Sequence, residues 1–261
     1  MFKRHIKEEK EKKSTGIEEM DSLLGGGIRN GEILLLVQQE NVKYHLGVHR
    51  VFIAQGLEDD EVTVHSSLDN PILSVPGRQM QKAEEAQSSA EKIAWRYKTM
   101  SRTVNTVNIS TGSLSTAKKY NFKSRHPKEN EVKNILDKSL SEISEYLDST
   151  ATSNTRISLS SLFSPLWQAS EQEINDFLFH LRKTVRKSRA VCMVSIPVYL
   201  LDGFNYGYFD SIINLEANTV KELKYDGLIQ CIKTEVNDLH KYALVCQSTG
   251  IKIEKIVLPP E

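Results

Sequence analysis

The chain has 261 residues, 39% of them apolar, which is enough to bury one sizeable core. Its 34 basic and 34 acidic residues cancel, so no global field draws it to nucleic acid or to an anionic membrane. No apolar run approaches the roughly 18–20 residues of a bilayer-spanning helix, and Cys192, Cys231 and Cys246 lie in apolar, strand-like runs without the spacing of a zinc site or a disulfide framework. These features predict a soluble intracellular protein with buried thiols, built as one domain over residues 14–261 behind a charged tail, residues 1–13. In that tail six Lys/Arg stand against three Glu with almost no apolar face, the composition of a mobile segment; the interspersed glutamates weigh against a polybasic RNA arm.

Residues 14–31, STGIEEMDSLLGGGIRNG, place Ile17, Met20, Leu23 and Leu24 at helical spacing and then stop the helix with three glycines. The unbroken apolar run EILLLV over 32–37 predicts a central strand covered on both faces. Tyr44, Val48, Val51 and Phe52 give a helix up to Gly56, and EVTVHS over 61–66 alternates as a strand, so strand, helix and strand make a parallel crossover. Further helices are expected over 86–97 and, from the period of Val132, Ile135, Leu136, Leu140, Ile143 and Leu147, over 132–147, with a weak strand at 104–109 between them. Residues 156–163 read as a strand. A capping box of Ser170 and Glu173 opens a helix carrying Ile174, Phe177, Leu178, Leu181 and Val185, which feeds a strand over 190–196. Strands at 212–215, 228–236, 241–246 and 251–258, joined by turns at 237–240 and 248–250, end the chain as an antiparallel meander.

The segment STGIEEMDSLLGGGIRNGE resembles the lead-in to the phosphate-binding loop of RecA, the archaeal recombinases and the circadian-clock ATPases. The resemblance implies an α/β, RecA-like fold: a mainly parallel central sheet flanked by helices, with antiparallel strands at the C-terminus. In such ATPases the strand leads into G-x-x-x-x-G-K-[ST], whose backbone N–H groups cradle phosphate while Lys neutralises it and the hydroxyl holds Mg²⁺. Here the strand runs into Gln38, Gln39, then Lys43, Tyr44 and His45 within QQENVKYH, which contains no glycine and no Lys-Ser or Lys-Thr pair. The acid that would hold Mg²⁺ is also missing, because RISLSSLF over 156–163 offers Ser160 and Ser161 at the end of the strand. The reading is a degenerate phosphate loop, with no cofactor, no metal and no catalytic residue.

AEKIAWRY over 90–97, SLFSPLW ending at Trp167, SRAVCMVSIP up to Pro197, Asp226-Gly227-Leu228 and IEKIVLPP at the end, taken in that order on such a chain, resemble the family of the fourth Elongator subunit. That resemblance implies a non-catalytic role in a hexameric RecA-like ring with the fifth and sixth subunits. It also implies contact with the catalytic core subunits, tRNA binding in support of wobble-uridine modification, and residence in cytoplasm and nucleus. From the residues themselves, the acid-free run KKYNFKSRHPK is the basic patch interleaved with aromatics: Lys118, Lys119, Lys123, Arg125 and Lys128 for phosphate, and Tyr120 or Phe122 for stacking. A solvated loop is the alternative there, and Arg182, Lys183, Arg186, Lys187 and Arg189 read as the wet side of a helix. The competing functions are a divergent RecA-type or clock-type ATPase and an inactive, DNA-binding recombinase paralogue.

Overall fold

The computed structural model describes residues 11–39, 42–72, 74–79, 119–201, 205–219, 225–236 and 240–256. Thirteen strands and four α-helices are placed among them. The strands are β1 (Lys12–Lys13), β2 (Ile28–Arg29), β3 (Ile33–Gln38), β4 (Val62–Ser66), β5 (Pro76–Arg78), β6 (Tyr120–Arg125), β7 (Lys133–Asn134), β8 (Thr155–Leu159), β9 (Val191–Pro197), β10 (Ser211–Ala217), β11 (Gly227–Lys233), β12 (Lys241–Gln247) and β13 (Gly250–Lys255). The helices are α1 (Glu18–Leu23), α2 (Tyr44–Glu58), α3 (Leu140–Thr150) and α4 (Glu171–Ser188). Nine strands form one sheet in the order β13-β12-β11-β10-β3-β9-β8-β4-β7. From β10 to β7 every pairing is parallel, and from β10 to β13 every pairing is antiparallel. This is the α/β architecture implied by the lead-in, consistent with a RecA-like fold.

β3 sits in the middle because every residue of Ile33 to Val37 is buried. Its side chains alternate: Leu34 and Leu36 pack with Phe52, Ile53 and Leu57 of α2, while Ile33, Leu35 and Val37 pack with Ile143 and Leu147 of α3 and with Leu178, Leu181 and Val185 of α4. Two apolar layers therefore cover the sheet, α1 and α2 on one face and α3 and α4 on the other. α4 begins with the expected capping box, Ser170 Oγ accepting from Glu173 N–H and the Glu173 carboxylate accepting from Ser170, an arrangement worth about 1 kcal/mol.

The 132–147 helix is shorter than its period predicts. α3 starts at Leu140, behind a second capping box of Ser139 and Glu142, and Asp137 at φ 58° ends any helical path from Val132. Val132 and Ile135 are buried, but around the two-residue strand β7 that pairs with β4. A 3.6-residue period cannot separate one helix from a buried edge followed by a helix. Cys192 and Cys231 are buried and Cys246 is exposed, the last contrary to expectation, because residues 246–249 form the exposed end of the β12–β13 hairpin. The expected elements at 86–97 and 104–109 lie outside the described residues. At the other end, Lys12 and Lys13 of the expected tail pair with Arg29 and Ile28.

The lead-in and the sheet meet at one buried cation. Arg156, on β8, is fully buried under α2. Its Nε donates to Glu61 Oε2 at 2.5 Å, its Nη1 donates to the carbonyls of Ser14 (2.7 Å) and Phe52 (3.1 Å), and its guanidinium lies 4.6 Å from the Phe52 ring centroid. Glu61 also pairs with Lys13 at 2.7 Å. Next to this cluster the buried Asp21 carboxylate accepts from Ser14 Oγ (2.5 Å), Thr15 N–H (2.7 Å) and Thr15 Oγ1 (2.7 Å), and the Asp21 carbonyl accepts from Gly26 and Gly27 in the glycine turn. Gly27 is required there: φ is 109°, and a Cβ would lie 2.4 Å from the Lys13 carbonyl oxygen. Removing one partner of a buried ion pair leaves the other desolvated, so Arg156→Ala is expected to cost about 3–5 kcal/mol of folding stability. Urea unfolding with an unchanged m-value is the measurement, and a loss below about 1 kcal/mol would show that the cluster is peripheral to stability.

Candidate functional site

A crevice opens at the carboxyl ends of the parallel strands, where open α/β sheets bind ligands at the point of strand-order reversal. β3 supplies Gln38, β9 supplies Pro197, the turn after β4 supplies Asp69 and Asn70, the turn after β8 supplies Ser161 and Ser164, and the start of α2 supplies Lys43 and His45. The crevice encloses about 550 Å³. A second cleft of about 810 Å³ lies between α3 and α4, but Asp137, Glu145, Asp148, Glu173 and Asp176 line it, an unfavourable surface for phosphate.

Behind the crevice runs a buried polar layer. Ile157 and Leu159 of β8 face α3 and α4, so Arg156 and Ser158 face α2. His45 and His49 lie one helical turn apart on α2, and His65 on β4 comes from the same side of the sheet. Ser158 Oγ lies 2.8 Å from His49 Nδ1 and 3.2 Å from His65 Nδ1, and the latter nitrogen also lies 3.0 Å from the Ser158 carbonyl. Burial pushes the His45 imidazole down to about 4, with the nearby Lys43 charge acting in the same direction. Burial likewise lowers His65 to about 4, partly offset by its Ser158 hydrogen bond, and drives His49 well below the ordinary range, helped by the two neighbouring histidines. All three are neutral at pH 7. At the rim, Ser161 adopts φ 51°, its N–H donates to Ser195 Oγ (2.9 Å), and its hydroxyl donates to Gln38 Oε1 (3.1 Å) and stands 3.4 Å from His45 Nε2.

The residues expected to form a degenerate phosphate loop part company in space. Gln38, Gln39, Lys43 and His45 line the crevice, and Gln39 Nε2 donates to Asn214 Oδ1 at 3.1 Å. Tyr44 points elsewhere: its hydroxyl donates to the Asp226 carbonyl, and its ring lies where a Cβ on Gly227 would come within 2.5 Å of it. The Asp226-Gly227 pair is thus a seat for Tyr44. The basic patch is also rearranged. Lys118 lies outside the described residues, and 120–125 is a strand instead of a loop, with Tyr120 and Phe122 turned towards α2. Tyr120 is buried and its hydroxyl donates to Gln55 Oε1 (2.9 Å), while Arg50 lies 4.9 Å over the Phe122 ring. The aromatics expected to stack on bases therefore serve packing. Arg125 pairs with Glu129 at 3.3 Å and Lys128 pairs with Asp60, which leaves Lys119 and Lys123 exposed and, among the described residues, outside any ion pair. On α4, Arg182 and Arg186 both reach Asp210, at 3.7 and 3.4 Å. The polar layer of Ser158, His49 and His65 was missed from the sequence, although the alternation in RISLSS and VTVHS was the available signal.

A profile of the PAXNEB protein family matches residues 10–123 and 98–261. The chain belongs to the PAXNEB family. The PAXNEB chain is 25% identical to Elongator complex protein 4 of Dictyostelium discoideum over 276 aligned residues, which cover 82% of this chain and 62% of that protein. It is 24% identical to the Elongator complex protein 4 of Xenopus laevis and to that of Danio rerio, in each case over 95% of its own length and about four-fifths of theirs (80% and 81%). The chain thus spans less than two thirds of the slime-mould relative. Among the described residues of this PAXNEB chain, no helix is long and apolar enough to cross a membrane, and no group of three His, Cys, Asp or Glu side chains is placed to hold a metal ion.

The neutral histidines set an acid limit on the fold. Their folded-state affinities for protons lie below the unfolded value of about 6.5, so below that pH the unfolded chain takes up protons that the native chain refuses. Stability is full above pH about 6.5 and is lost progressively as the pH falls through about 4, by a few kcal/mol for His45 and His65 together. Urea midpoints at pH 7.5, 6 and 5 should fall in that order, and His65→Gln should flatten the fall. Equal slopes in the two proteins would show that His65 is not held neutral.

Proposed function

We propose that this chain is a non-catalytic subunit of the Elongator complex, packed with the fifth and sixth Elongator proteins in a RecA-like hexameric ring that binds tRNA in support of wobble-uridine modification by the catalytic core. Membership in the PAXNEB family, with Elongator complex protein 4 relatives aligned along most of the chain, is the observation that carries this reading. Cytoplasm and nucleus are its proposed locations. The degenerate site supports the non-catalytic part: a loop without glycines cannot easily form an anion nest, and serines at the end of β8 give Mg²⁺ no carboxylate ligand there. The crevice at the carboxyl ends of the strands favours one alternative, a divergent RecA-type ATPase with an unorthodox site. The isolated chain is expected to release no phosphate from ATP above a protein-free blank; steady turnover that survives repurification would favour the alternative.

Ring assembly is tested separately. Tagged chain expressed with the fifth and sixth Elongator proteins should co-elute with both in size exclusion, and a monodisperse monomer that ignores them would remove the ring. For tRNA, Lys119 and Lys123 are the cations proposed to touch phosphate, together with Lys118, which precedes Lys119 in the sequence. Replacing the three with alanine should weaken tRNA binding by the assembled ring and make its salt dependence shallower, by about 0.7–0.9 in logarithmic slope for each phosphate that no longer meets a cation. Unchanged affinity in an intact ring would place the RNA on other surfaces.

A further inference from the structure

α4 turns one side to the core and the other to solvent, and its outward face is polarised along its length. Phe177, Leu178, Leu181 and Val185 are buried. Glu173, Asp176, His180, Lys183 and Lys187 recur at alternating steps of three and four, which puts them on one stripe of the helix, and all five are exposed. The stripe is acidic at its start and basic at its end, with His180 at the midpoint. Phe179 stands beside it, 59% exposed, its ring 5.8 Å from the His180 ring in an edge-to-face arrangement.

The helix macrodipole accounts for only part of this pattern. It favours acids in the first turn and bases in the last, and its effect fades beyond them. Glu171 and Glu173 stand in the first turn and Arg186 and Lys187 in the last, but Asp176 and Lys183 lie further inside the helix. Within one chain the grouping is unfavourable. Lys183 and Lys187 are one helical turn apart, a repelling pair, and neither makes an ion pair among the described residues. Asp176 accepts from Gln172 Nε2 at 3.0 Å and Glu173 from the cap, so neither acid meets a cation. Both acids also border the cleft to which α3 adds Glu145 and Asp148, where Lys138 is the one lysine or arginine among the lining residues.

A second copy of the same helix, run antiparallel, relieves both halves of the stripe. A two-fold interface brings the same patch of both copies together, so it must be self-complementary. Centred between Phe179 and His180, the pairing sets Asp176 opposite the second copy's Lys183, Glu173 opposite its Arg186, and Phe179 opposite its His180, and each contact occurs twice. A parallel pairing would set like charges against each other. We propose that the outward face of α4 is a self-recognition surface, through which two copies of this chain associate antiparallel about an axis between Phe179 and His180. With 18 residues, α4 is about 27 Å long and about 10 Å across. That footprint is below the roughly 800 Å² per partner of a standard interface, so the association is weak and reversible. The inference stands apart from the ring reading, in which the proposed neighbours are other proteins.

The test is sedimentation equilibrium of the full chain from about 5 to about 500 µM, in about 0.05 M and about 0.5 M salt. A monomer–dimer equilibrium with Kd of order 10–100 µM is expected at low salt, weakened about tenfold at high salt because the facing charges are solvated. Phe179→Ser, at an exposed position, should weaken it about fivefold. A charge exchange decides the pairing. One variant carries Lys183→Glu with Lys187→Glu, the other Gln172→Lys with Asp176→Lys. Each alone should be monomeric, since its helix meets a like-charged copy, and an equimolar mixture should form a 1:1 dimer with an affinity within about threefold of the parent's. Circular dichroism melts check folding, and should an exchanged variant fail to fold, the Phe179→Ser and salt arms decide. A parent chain that stays monomeric at the highest concentration, a dimer indifferent to salt and to Phe179→Ser, or folded exchanged variants that do not pair on mixing would overturn the proposal.

Discussion

The guanidinium of Arg156 is the constraint around which one face of the sheet is arranged. A buried cation is tolerable when its donors and its charge are answered, and here the hydrogen bonds to Nε and Nη1 come from three separate pieces of chain, while Nη2 lies 3.8 Å from the Asp59 carboxylate without a hydrogen bond. Glu61 precedes β4, the Ser14 carbonyl belongs to the lead-in, the Phe52 carbonyl and ring belong to α2, and Lys13 of β1 joins through Glu61. Gly56 belongs to the same arrangement, because a Cβ on it would lie 2.7 Å from Arg156 Cδ. Loss of any one piece exposes the others to a desolvated charge. The lead-in is thus held to the sheet by polar satisfaction as much as by the burial of Ile17 and Met20.

That arrangement holds the lead-in independently of the residues that follow β3. Ser14, Thr15 and Asp21 hydrogen-bond one another, and the Asp21 carbonyl organises the glycine turn whose closest approach is to Lys13. None of these contacts involves the crevice at the far, carboxyl end of β3. The lead-in stabilises the amino end of the sheet, and the loop after β3 does separate work. Substitution in the residues after β3 therefore leaves the lead-in undisturbed.

Legibility in the sequence followed the same division. β3 was readable because EILLLV has no polar alternation, and both faces of that strand are covered. α4 was readable because Ser170 and Glu173 mark its start chemically, whereas the start of α3 was misplaced by eight residues because apolar period alone was followed past Asp137 and Ser139. The site was harder. EVTVHS and RISLSS alternate as half-buried strands do, and a polar face is ordinarily assigned to water. Here Thr63, His65, Arg156 and Ser158 are all buried against α2, which returns His49 to meet them. Nothing in the local pattern distinguishes a polar face in water from one under a polar helix face. The run KKYNFKSRHPK failed for a related reason: its charge suggested a loop, while Tyr120 and Phe122 sit two apart as strand residues facing a core should.

The serines after β8 set the chemistry at the mouth of the crevice. A carboxylate at this position would face Gln38 and His45 at the mouth of the crevice and would favour a cation there, raising the proton affinity of the imidazole. Ser161 instead relays neutral hydrogen bonds, from its hydroxyl to Gln38 and from the backbone N–H to Ser195 on β9. The left-handed backbone of Ser161 is held by those hydrogen bonds and by the Trp167 indole, which donates to the Ser161 carbonyl at 3.2 Å. The rim is thereby locked into a shape with neutral donors and acceptors, and His45 stays unprotonated behind it. A metal-and-phosphate site needs the opposite, converging positive charge matched by carboxylate ligands for the metal. With Gln38, Ser161 and the neutral His45 meeting there, this part of the rim is a hydrogen-bonding surface without a carboxylate.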